Sequence, residues 1–167
     1  MPLVDAHGIS VDLPAGWDAH IAVRRHGAPQ GAITASGMQG VVLRSYPVAH
    51  IANFGLPAER GDFGSGAVEL MGDQDVFVVV FEYDAASTQT ALFRSHGLPR
   101  AVTVRDFEPA TLRRAIPGQS AHQAFFQEHG RAFCLYVVLG AHARRARLVP
   151  QVNHVLATVQ LQPPGAG

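Results

Sequence analysis

The sequence predicts an α+β domain built on a central, mainly antiparallel sheet flanked by helices. Three stretches carry that expectation. Val76-Phe-Val-Val-Val-Phe-Glu-Tyr83 is an almost unbroken apolar run, as expected of a strand covered on both faces. Gly130-Arg-Ala-Phe-Cys-Leu-Tyr-Val-Val-Leu-Gly140 is a second such run, followed by an amphipathic segment from Leu148 to Val159. Val4 to Leu13 alternates apolar and polar residues around His7-Gly8, the pattern of a short hairpin.

Taken in order, Ile9, Val11 and Leu13 share one face of the second hairpin strand. Pro14-Ala-Gly16 makes a turn, and Trp17 with the alternation Ala19, Ile21, Val23 reads as the next strand. Gly27 to Gly40 reads as a loop around a short extended piece near Ile33, and Val41 to Tyr46 as a strand ended by Pro47. Asn53 to Gly66 interleaves glycine and proline with Phe54 and Phe63, a loop anchored by its aromatics. Ala67 to Met71 fits a helical turn or a strand, and Gly72-Asp-Gln-Asp75 is a turn.

Between Ala85 and Gln119 the pattern weakens, with short helical candidates at Thr88 to Ser95 and Pro109 to Ala115, the latter opened by its proline. Ala121 to Gln127 then pairs with Arg131 to Leu139 across Glu128-His-Gly130. The final helix is expected to start near Val149, because Pro150 is tolerated only in a first turn. It points Leu148, Val152, Val155 and Leu156 inward and leaves Gln151, Asn153 and His154 facing water. Val159-Gln-Leu161 closes the sheet. One globular domain over 1–162 and a flexible tail over 163–167 follow, with neither repeat nor linker.

Composition narrows the function classes. Hydrophobic residues make up 47% and charged residues 16% of 167, the balance of a folded domain. Thirteen basic residues, all arginine, match thirteen carboxylates, so no net field favours nucleic acid. The absence of lysine excludes Schiff-base and P-loop chemistry. No apolar run approaches a membrane span, and the amino terminus has no basic region followed by an apolar stretch. A cytoplasmic protein is the expectation, with a secreted one as the alternative if a signal peptide has been removed.

Few motifs carry chemistry. The nine histidines form no i, i+4 helical pair, so no metal and no cofactor is expected. Cys134 lies inside an apolar run and reads as a core thiol. Asp73-Gln-Asp75 lacks the rest of a calcium loop, and Gly64-Ser-Gly66 lacks the nucleophile elbow. The most anion-friendly stretch is His142, Arg144, Arg145 and Arg147 at the start of the last helix, where first-turn amides would assist, although a solvated turn explains the same residues.

The segment Gly8-Ile-Ser-Val-Asp-Leu-Pro-Ala-Gly-Trp17, a strand ending in a Pro-x-Gly-Trp turn, resembles the PsbP-like superfamily, as does the closing order of long strand, Gly140, helix and short strand. That superfamily includes photosystem extrinsic subunits, a Ran-binding import factor and bacterial lipoproteins. The resemblance covers about forty residues at the two ends, and the chain lacks the lipobox cysteine of the lipoprotein members. It implies helices on both sides of an antiparallel sheet and a role in binding proteins, and it transfers no functional residue.

Two functions are therefore expected. The first is a non-enzymatic module that binds a protein partner or assembles with itself, using the loop aromatics Phe54 and Phe63. The alternative is a small-ligand or anion-binding protein, or an enzyme, with a pocket between sheet and helix. No catalytic residue is marked.

Overall fold

The computed structural model describes residues 1–24 and 46–165. The loop expected around Ile33, most of the strand expected at 41–46 and the last two residues of the tail lie outside them. Eight strands and one α-helix make up the described fold: β1 (Leu3–Ala6), β2 (Ile9–Asp12), β3 (Asp18–Arg24), β4 (Tyr46–Ala52), β5 (Val76–Tyr83), β6 (Ser120–Glu128), β7 (Arg131–Leu139), α1 (Arg145–Leu156) and β8 (Gln160–Leu161). They form a five-stranded sheet in the order β3-β4-β5-β7-β6 and a three-stranded sheet in the order β1-β2-β8, antiparallel throughout. The fold is α+β. No helix among the described residues is long and apolar enough to cross a membrane.

The two apolar runs become neighbouring central strands, with Val76 opposite Leu139 and Tyr83 opposite Ala132. Side chains alternate between faces, so an unbroken run supplies two cores at once. Val76, Val78 and Val80 join Leu148, Val152, Val155 and Leu156 of α1 on one face. Phe77, Val79, Phe81, Cys134, Tyr136 and Val138 line the other. That second face is covered by irregular chain between the strands, including 3-10 turns at Val68–Leu70 and Pro109–Thr111, with Phe54, Phe63, Leu112 and Ile116 packed against it. The outer edge of β6 is capped as well, by bridges from His96 to Gln127 and from Glu108 to Ala121, which blunts an edge that would otherwise template aggregation.

Four expectations are corrected. The strand around Tyr46 does not end at Pro47; it runs on to Ala52. Pro47 sits opposite Val23 on one side, while pairing with β5 begins only at Val48, so the proline stands where β4 has a single neighbour. The helix starts at Arg145 rather than near Val149, with Pro150 inside it. Pro150 removes the donor for the Ala146 carbonyl, and both residues are exposed, so that carbonyl is open to solvent. Gln151 and Asn153 do not simply face water. Asn153 exchanges two hydrogen bonds with the Val102 backbone, at 2.8 and 3.0 Å, and Gln151 accepts from Asn53 at 3.2 Å. The expected helices at 88–95 and 109–115 shorten to 3-10 turns.

One side chain joins the two sheets. Arg131, at the start of β7 and 7% exposed, spends all five of its N–H donors. Nε and Nη2 bind the Glu82 carboxylate at 2.9 and 2.7 Å. Nη1 donates to the carbonyls of Gly8 and Gln162, and Nη2 also reaches that of His7. The small sheet is thus held by its first turn and its last strand to β5 and β7. Gly8 has φ +74°, and a Cβ there would lie 2.7 Å from Nη1 of Arg131, so this turn requires glycine twice over.

Removing one partner of a buried, fully bonded pair leaves the other charge uncompensated. Arg131→Met is expected to cost about 3–5 kcal/mol in urea unfolding. Glu82→Leu combined with Arg131→Met should recover only part of the loss, because the three carbonyls remain without donors. A double variant as stable as wild type would show that the carbonyl contacts contribute nothing.

Candidate functional site

The face opposite α1 carries the features most suited to binding. Its loops are held by a four-layer stack: the Arg24 guanidinium lies 3.5 Å over the Phe81 ring, Phe81 stacks on Phe63 at 4.6 Å, and the Arg113 guanidinium covers the far side of Phe63 at 3.6 Å. Each guanidinium gains from the ring quadrupole, and the rings gain burial. The Tyr136 ring meets the edge of Phe63 at 5.8 Å, and its hydroxyl accepts from the backbone N–H of Arg113 at 3.0 Å. Burial raises the Tyr136 and Cys134 pKa values, while the nearby charge of Arg113 acts in the opposite direction.

Beside this stack a cleft of about 320 Å³ opens between the 62–68 loop and residues 112–119, floored by Tyr136 and Val138. The loop lies tight on the sheet. Gly64 has φ +93°, and a Cβ there would come within 2.4 Å of the Phe77 ring. Arg113 and Arg114 border the cleft with Ser65, Asp62 and Gln119. Arg114 is paired with Glu69 at 2.8 Å, and Asp62 with Arg24 at 3.7 Å. Among the described residues, no carboxylate lies within ion-pair distance of Arg113. Gln119 donates to the Val68 carbonyl at 2.8 Å and, among the described residues, its buried Oε1 has no hydrogen-bond partner.

A second hollow of about 460 Å³ adjoins the first and shares Leu112 and Gln119 with it. Its remaining lining is Pro109, Ala115, Ile116, Pro117, Gly118 and His142. On the other side of Asp62, a hollow of about 370 Å³ contains His50 and Arg60. His50 is 4% exposed, accepts from Arg60 Nε at Nδ1 (2.7 Å) and, in the tautomer this requires, donates from Nε2 to the Asp62 carbonyl (2.8 Å). Burial, with Arg60 and His20 nearby, lowers its pKa to about 4.

The residues singled out from the sequence lie in several places. Phe54 and Phe63 are half-buried, and Phe54 tilts against Phe77 at 6.5 Å. Arg144 pairs with Asp73 at 2.7 Å, Arg145 donates to the His142 carbonyl, and Arg147 is exposed. His142 turns to the apolar hollow instead. The doublet Arg113-Arg114 is as contiguous in the sequence as Arg144-Arg145, but it sits in a segment of weak periodicity, where nothing local marks it as part of a site. Among the described residues no group of three or more His, Cys, Asp or Glu is placed to hold a metal ion. No protein-family model, curated protein or solved structure matches this chain.

His50 gives the fold a pH dependence of definite sign. The unfolded chain takes up its proton near pH 6.5, and the folded chain resists until about pH 4. Stability is therefore fully present above pH 6.5 and declines as pH falls toward 4, by on the order of 3 kcal/mol over the whole window. Urea midpoints measured from pH 7.5 to 4.5 should fall more steeply for wild type than for His50→Gln. Parallel curves would contradict the assignment.

Proposed function

We propose that this protein binds a small carboxylate-bearing molecule in the cleft beside Arg113. The observation that carries the reading is Arg113 itself: a guanidinium held in place by Phe63 and Tyr136, at the mouth of a concave site, with no carboxylate partner among the described residues. A planar fork positioned before the ligand arrives loses little freedom on binding and matches a carboxylate with two parallel hydrogen bonds. The cleft volume falls in the range of small-molecule sites, and a largely apolar lining with a few polar groups is their usual composition.

This is the alternative among the two expected functions, moved from the sheet–helix interface to the opposite face. Recognition of a protein through Phe54 and Phe63 draws less support, since Phe63 already gives one ring face to Phe81 and the other to Arg113. The anion site expected at 142–147 also draws less, because Arg144 is neutralised by Asp73.

Benzoate serves as the probe. In an amide NMR titration its addition should shift the resonances of Phe63, Arg113 and Tyr136, and Arg113→Gln should weaken binding roughly tenfold to a hundredfold, the loss of a charge-assisted pair. Equal affinity in the two proteins, or shifts confined to 144–147, would contradict the reading.

A further inference from the structure

The two adjoining hollows differ in chemistry. The one at Arg113 includes Asp62, Arg113 and Arg114, whereas the one beyond Leu112 and Gln119 is lined by Pro109, Ala115, Ile116 and Pro117 and, among the described residues, by no carboxylate or arginine. Its polar members are Gln119, whose amide nitrogen is committed to Val68, and His142, whose backbone N–H is committed to the Gly118 carbonyl at 2.6 Å; Gln119 Oε1 and His142 Nδ1 are buried and have no hydrogen-bond partner among the described residues. An open apolar trough is unfavourable against water unless something covers it. It runs from the same Leu112 that walls the cationic cleft. A ligand with its charge at Arg113 that extends past Leu112 meets apolar surface.

We infer that the ligand is an amphiphilic carboxylate: a single free molecule whose head group meets Arg113 and whose unbranched apolar tail lies along Leu112 and Ile116 in the second hollow. The inference rests on the carboxylate reading above and adds the tail. Charge complementarity selects the occupant, because the same tail on an ammonium head would set like charges together at Arg113. The apolar end favours a tail over a short, fully polar acid, because most of its lining is Pro109, Leu112, Ala115, Ile116 and Pro117.

The test is calorimetric titration of the unaltered protein with butanoate, hexanoate, octanoate and decanoate, each below its micelle-forming concentration, and with octylamine. Burial of the tail predicts that Kd falls roughly tenfold for every two methylenes until the trough is filled. Octylamine should not compete with octanoate. Ile116→Asp should flatten the dependence on chain length. If benzoate binds at Arg113 but all four acids bind equally, the tail site is wrong and the carboxylate reading stands. If neither benzoate nor any acid binds, both fail. Sedimentation with anionic lipid vesicles, with no response to free octanoate, would identify a membrane surface as the occupant and overturn the inference.

Discussion

The buried guanidinium of Arg131 is the constraint on which the rest of the molecule depends. A charge taken out of water is costly unless it is paired and every donor is met, and here two donors go to Glu82 while three go to backbone carbonyls of the small sheet. The requirement is mutual. The turn at His7 and Gly8 and the residue after β8 must come to β7 for Arg131 to be tolerated inside, and the small sheet is then fixed against the face that carries α1. Thr158 reinforces this closure by donating to the Asp12 carbonyl at 2.8 Å.

Fixing both chain ends on one face leaves the other to the intervening loops. The α1 face is finished mainly by regular structure: Leu148, Val152, Val155 and Leu156 present one stripe, Ile9, Val11 and Leu161 pack beside it, and Leu98, Val102 and Phe107 from the segment between β5 and β6 complete it. The opposite face is finished by segments with little repeating pattern, which must be held by particular contacts. Asn53 ties the segment between β4 and β5 to Gln74, Val76 and Gln151, His50 holds the same segment through Arg60 and Asp62, and the Arg24–Phe81–Phe63–Arg113 stack clamps it and the segment between β5 and β6 to the sheet. Loops on a rigid sheet place side chains accurately while leaving concave space between them, and both hollows described above occur at their seams.

What could be read from the sequence was whatever rests on local periodicity. The strands at 76–83 and 131–139, the hairpin turns at His7-Gly8 and His129-Gly130, and the inward stripe of α1 depend on neighbours in the chain, so a local pattern identifies them. Pro47 and Pro150 misled for one reason. The rule against proline concerns a missing donor, and at both positions the tertiary setting does not require one. The cleft is not legible in the sequence because Phe63, Arg113 and Tyr136 meet only through sheet pairing and loop closure: Phe63 stands out as a loop aromatic, but nothing local joins it to the other two. Arg144, Arg145 and Arg147 are close in the sequence, yet folding disperses them, with Arg144 turned to Asp73 and Arg145 to its own helix start.

A crystal structure of the protein grown with octanoate addresses the cationic cleft and its apolar extension together. The carboxylate is expected within ~3 Å of the Arg113 guanidinium, with the chain lying over Leu112 and Ile116. Octanoate seated at 144–147, or a cleft that stays empty at saturating octanoate, would contradict it.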